Sequence, residues 1–107
     1  MGMVKRDDVW LVALDPTLGS ELRKTRPAVI VSPDVTNKHL NTVVVVPLTS
    51  SIHTFAFRPE FDFDDRRAQA AVDQVRVIDK QRLVSKLGLL NPSASRLVLD
   101  GLRQYFS

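Results

Sequence analysis

The sequence predicts an α+β domain, a strongly curved antiparallel sheet or small barrel followed by a helix. Three observations carry that prediction. Residues 27–32 and 42–48 are apolar, β-branched runs of the kind that fill buried strands. Residues 52–63 alternate, with Phe55, Phe57, Phe61 and Phe63 on odd positions and mostly polar side chains between them; period two is the signature of a strand. Near the C-terminus, Asn91-Pro92-Ser93 is a helix start, and Val98, Leu102 and Tyr105 or Phe106 follow at three- and four-residue spacing.

Taken in order, residues 9–14 (Val-Trp-Leu-Val-Ala-Leu) form the first expected strand. Asp15-Pro16 ends it, because proline has no N–H to give a ladder and biases its predecessor toward an extended shape. The loop over 17–26 is longer than the usual connection of roughly 4 to 6 residues and carries Glu21, Arg23, Lys24 and Arg26. Pro27 opens the second strand, 27–32, so these charges stand at the mouth of a rigid element. Residues 33–41 are polar and turn-rich. The third strand, 42–48, is β-branched enough to be buried on both faces, and it ends in Thr49-Ser50-Ser51. Over 52–63 the four phenylalanines are expected to face the core, with Pro59 marking an edge or a break.

Asp64-Asp65-Arg66-Arg67 is a charged turn, and 68–78 a further strand whose alanines would also suit a helix. Asp79 can cap a short helix over 80–87, stopped at Gly88. Either Asn91 or Ser93 caps the last helix, which is expected to lie across the sheet and close its core.

Composition narrows the function classes. A chain of 107 residues is the size of one domain with one core, 1–107, and 44% hydrophobic with 25% charged residues is ordinary for a soluble protein. There is no cysteine, which excludes disulfide and thiol chemistry and makes a cytoplasmic protein the expectation. No apolar run approaches the ~20 residues that cross a membrane, and no basic-then-apolar leader opens the chain, so no membrane partner is expected. Net charge is +3 and the isoelectric point about 9.7. That bias suits a polyanionic partner but is shared by many proteins that bind no nucleic acid.

The four glycines stand at positions 2, 19, 88 and 101, so there is no glycine-rich phosphate loop. His39 and His53 are isolated and no ligand spacing suggests zinc, so neither a metal nor an organic cofactor is expected.

Arg26 and Thr49 are the candidate pair. If the second and third strands are antiparallel neighbours, the start of one and the end of the other share a rim of the sheet. A guanidinium is permanently charged and can give a phosphate two parallel hydrogen bonds, and a threonine hydroxyl adds a neutral donor. The plain alternatives are a surface ion pair between Arg26 and Glu21, and a Thr49 that merely terminates its strand. Arg23 and Lys24 fit solvated charges or phosphate-positioning groups. The phenylalanines fit core better than a base-stacking platform.

A set of motifs then stands in order: Leu14-Asp15-Pro16-Thr17, Gly19-Ser20-Glu21, Arg26-Pro27-Ala28-Val29, Val46-Pro47-Leu48-Thr49-Ser50, Val72-Asp73-Gln74-Val75-Arg76, Asp79-Lys80-Gln81-Arg82-Leu83 and Lys86-Leu87-Gly88. From about Asp8 to the final helix this set resembles the MazF/PemK toxins. The resemblance implies an SH3-like β-barrel with a C-terminal α-helix, forming a homodimer. It also implies a sequence-specific endoribonuclease that cuts single-stranded RNA, often mRNA, without a metal. In such enzymes the ribose 2′-OH attacks the adjacent phosphorus, leaving a 2′,3′-cyclic phosphate and a 5′-OH. A cognate antitoxin with a flexible, frequently acidic tail restrains them.

Residue by residue, the resemblance assigns catalysis to Arg26, Thr49 and the loop glutamate Glu21. It assigns RNA contacts to Thr17, Ser20, Lys24, Ser50, Asp73 and Gln74. One subgroup uses a histidine in the first loop and an arginine two positions before the aspartate; here Thr17 and Leu18 fill that part of the loop and Ala71 the arginine position. Arginine, with a solution pKa above ~12, is a poor general base. Arg26 is therefore expected to stabilise charge on the phosphorus oxygens, while Glu21 either holds Arg26 or accepts the 2′-OH proton. Two other classes compete: a CcdB-like toxin that acts by protein contact on a similar fold, and an RNA-binding module that does not cut.

Overall fold

The computed structural model describes residues 3–14, 25–55 and 57–107. Strands β1 (Asp8–Ala13), β2 (Thr25–Ile30) and β3 (Thr42–Thr49) form where the apolar runs predict them, and the helix α1 (Asp34–His39) lies between the last two. Then follow β4 (Glu60–Phe63), β5 (Arg66–Ala70), β6 (Arg76–Asp79), β7 (Leu83–Leu89) and the helix α2 (Pro92–Tyr105).

All pairings are antiparallel, in the order β4-β5-β3-β2-β1-β7, with β6 beside the first half of β3. Two register shifts between β1 and β7 bend that end of the sheet, as bulges do. The product is a curled sheet, a half-barrel, closed on one side by α2. No helix among the described residues is long and apolar enough to cross a membrane.

The middle strands are buried on both faces, which is why they read as continuous apolar runs. Val9, Val29, Val46 and Leu48 face a core completed by Phe61, Val72 and the Ala94 and Val98 of α2. Their sequence neighbours Trp10, Ala28, Ile30 and Val45 face a second core with Val12, Val43 and Ile78.

Pro47 sits in a central strand at the one place that tolerates it. There β3 leaves β6, last paired at Val45↔Arg76, and joins β5, first paired at Leu48↔Ala70. The Pro47 carbonyl accepts from Ala71 N at 2.9 Å, so the missing N–H points into the gap between those partners.

Four expectations are corrected. Residues 33–41 contain α1. Residues 52–63 are not one strand: β4 covers only Glu60–Phe63, with Phe61 buried, Phe63 and Phe57 half-buried and Phe55 exposed. The alternation is the same in both halves, but the segment before Pro59 pairs with no strand among the described residues; Phe55 and Phe57 stack on each other, 5.5 Å apart and 2° from parallel. Residues 68–78 are split by a 3-10 turn at Val72–Gln74. Asp79 does cap, accepting from Gln81 N at 2.8 Å, but the helix is a single 3-10 turn, Lys80–Arg82. The rest of the expected helix is β7, because pairing along the free edge of β1 outweighs local propensity.

Helix α2 begins as expected, with Asn91 Oδ1 accepting from Ala94 N at 2.8 Å and Pro92 in the first turn.

Candidate active site

The site is built by register. The pairs Ala28↔Pro47, Val29↔Val46 and Ile30↔Val45 join β2 to β3, so the start of β2, with Arg26, and the end of β3, with Thr49, lie at the same end of the strand pair.

Both residues line one groove of about 520 Å³. Ser50 and Ser51 continue its rim from Thr49, and Asp64, Arg66 and Arg67 of the β4–β5 hairpin face them; Pro27, Leu48, Phe63, Ala68 and Leu87 supply apolar surface. The hairpin turns on Asp64 and Asp65, with φ of 53° and 61°. Two left-handed residues in a two-residue turn match the twist of the flanking strands, and aspartate tolerates that conformation better than most. The turn thereby brings Arg66 and Arg67 to the groove.

Among the described residues three guanidinium groups and one carboxylate line the groove, a cationic balance. Arg67 is shared with Glu60 at 3.5 Å and Asp62 at 3.3 Å. Among the described residues the side chains of Arg26 and Arg66 make no hydrogen bond or ion pair, and both line the groove. Thr49 Oγ1 accepts from Ser51 N at 3.0 Å. That bond takes an acceptor site and leaves the hydroxyl proton for a ligand oxygen. Such a groove can bind a phosphate through paired guanidinium donors and a hydroxyl.

The other candidate residues are placed differently. Thr17, Ser20, Glu21 and Lys24, with Arg23, lie outside the described residues. Asp73 and Gln74 sit on the 3-10 turn after β5 and do not line the groove. Asp73 accepts from Arg58 Nε at 2.7 Å and Nη2 at 2.8 Å. The guanidinium holds the Asp73 carboxyl below the usual carboxylate range, and the carboxylate raises the pKa of Arg58 further. Gln74 is exposed. His39 ends α1, while the His53 ring lies 6.3 Å from that of Phe55. Sequence reasoning missed Arg66 and Arg67 as groove residues, although Asp-Asp-Arg-Arg after an alternating run is a hairpin signal. It also missed Arg58 and Gln69, which no local pattern reveals.

A family model described as PemK-like, MazF-like toxin of type II toxin-antitoxin system matches residues 5–106. The Endoribonuclease MazF of Staphylococcus epidermidis is 34% identical over 97 residues, which is 85% of this chain and 81% of that protein. Among solved structures, an endoribonuclease in complex with its cognate antitoxin from a mycobacterial species matches with a TM-score of 0.83 at 22% identity, over 96% of this chain and 94% of that one. MazF from Deinococcus radiodurans matches with a TM-score of 0.83 at 18% identity, over 99% and 98% of the two chains. The half-barrel closed by one helix is thus the MazF-like fold. The chain belongs to the PemK-like, MazF-like toxins of type II toxin–antitoxin systems.

Proposed function

We propose that this protein is a sequence-specific, metal-independent endoribonuclease toxin that cuts single-stranded RNA, mRNA above all. Family membership supports this, and one observation carries it: a guanidinium and a threonine hydroxyl, Arg26 and Thr49, line a single groove together with Arg66 and Arg67.

In the proposed reaction the 2′-oxygen forms a bond to the adjacent phosphorus and the bond to the 5′-oxygen breaks. The products are a 2′,3′-cyclic phosphate and a 5′-OH. Arg26 stabilises the charge that grows on the non-bridging oxygens and stands ready to protonate the departing 5′-oxygen. Thr49 donates its free proton to the same phosphate. Such preorganised donors act where charge develops, which is usually the largest single contribution to catalysis. The 2′-OH proton passes to a base, and Glu21 of the loop before β2 is the carboxylate the family resemblance assigns there. Arg66 and Arg67 bind flanking phosphates.

The protein acts as a homodimer in the cytoplasm, and a cognate antitoxin whose acidic tail competes for the groove restrains it. Purified protein incubated with single-stranded RNA in EDTA provides the test. Cuts carrying cyclic phosphate and 5′-OH ends are expected. Ends with 3′-OH and 5′-phosphate would contradict the chemistry. Binding without cuts would indicate an RNA-binding module, and neither binding nor cuts a CcdB-like toxin.

A further inference from the structure

The loop joining β3 to β4 starts in the groove, at Ser50 and Ser51, and is pinned to the barrel at three points. The first is Gln69, fully buried at 0% exposure. Its Oε1 accepts from His53 N at 3.0 Å, and its Nε2 donates to the carbonyls of His53 at 2.6 Å and Arg58 at 3.3 Å. Gln69 is also the register partner of Thr49, so the strand residue beside the candidate catalytic threonine also holds the loop. The second point is Arg58, whose side chain is 8% exposed; it forks onto Asp73 and lies 5.3 Å from the centre of the Phe55 ring. The third is Gly101 of α2, where an added Cβ would stand 2.7 Å from the Phe57 carbonyl oxygen.

A surface connection does not require a buried amide and a largely buried ion pair. Both are costly to desolvate and are tolerated only when fully paired. Here the partners are the loop's own backbone and the turn after β5.

We propose that Arg58, Asp73 and Gln69 are positioning residues that lock the β3–β4 loop, whose first residues Ser50 and Ser51 form part of the groove wall, so that RNA flanking the scissile phosphate meets a preformed surface. This rests on the nuclease function proposed above. Asp73 acts through Arg58 and does not touch RNA. Preordering the wall removes an ordering cost from substrate binding, so its loss should weaken KM more than kcat.

The test uses the full chain with Arg58→Lys, Asp73→Asn and the double variant. Hydrogen–deuterium exchange reads the amides of 53–58, and RNA cleavage gives KM and kcat. Each single variant should expose those amides and raise KM roughly tenfold, with kcat within about twofold, and the double variant should be no worse than the poorer single one. Three results would overturn the proposal: an Asp73→Asn effect on KM with protection intact and Arg58→Lys silent, lost protection with wild-type KM, or additive effects in the double variant. A wild-type chain that leaves RNA whole refutes the nuclease function before any variant is made. Exchange then decides the latch alone, faster exchange in both single variants supporting it and unchanged exchange overturning it.

Discussion

At the scale of single residues, the Thr49 hydroxyl divides its bonding. Its oxygen accepts from Ser51 N, and in the proposed reaction its proton goes to a phosphate oxygen. A hydrogen bond to a charged group contributes roughly 1.5–3 kcal/mol, so Thr49→Ala should slow cleavage about ten- to hundredfold and Thr49→Ser should keep most of the rate. Single-turnover rates check this, and an unchanged Thr49→Ala would move the role to Ser50. Asp73 has a separate, acid-sensitive part. Its folded pKa lies below the ordinary 3.8, chiefly because of the Arg58 hydrogen bonds, with smaller help from a backbone N–H and from His53. A depressed carboxyl stabilises the fold above its unfolded pKa and loses that contribution as pH falls through the folded value. The Tm difference between wild type and Asp73→Asn should therefore close as pH drops from about 5 to about 2. A constant difference across that window would contradict the ion pair.

At the scale of elements, the close seat of α2 on the loop before β4 is testable at Gly101. Alanine gains about 0.8–1.0 kcal/mol of helix propensity, but its Cβ would meet Phe57 O at 2.7 Å and Pro59 Cδ at 3.1 Å. Overpacking of this kind costs roughly 1–3 kcal/mol, so Gly101→Ala should lower Tm, and a rise would show the helix free to shift. What could be read from sequence follows the same division between local and tertiary causes. Strands β1, β2 and β3 were legible because burial on both faces leaves an unbroken apolar run. The α2 start was legible because a cap is a local event at Asn91. That Arg26 and Thr49 would line one groove was legible too, since antiparallel neighbours bring such ends together. Residues 83–87 misled because the free edge of β1, a tertiary fact, made a strand of them. Phe55 and Phe57 misled because alternation does not say whether a partner strand exists. The Arg58–Asp73 fork was invisible because it joins side chains 15 residues apart across an irregular loop.

At the scale of the whole molecule, a net charge of +3 is modest, yet among the described residues three arginines and one aspartate line one groove. Concentrating the charge there makes phosphate binding a matter of counterion release, which for single strands weakens affinity with salt by about 0.7 in log–log slope per phosphate neutralised. Arg66→Gln should flatten the slope by about that amount, read by RNA anisotropy across a salt series on uncleavable substrate. A slope identical to wild type would remove Arg66 from the path of the strand. The central claim is that the guanidinium on the rim of the half-barrel carries the chemistry. Its most direct test is the single-turnover cleavage rate of Arg26→Ala in EDTA, measured beside its Tm. Loss of one preorganised donor corresponds to about 2.7–4 kcal/mol. The rate should fall about 100- to 1000-fold with Tm unchanged; an Arg26→Ala protein that cuts as fast as wild type would contradict the account.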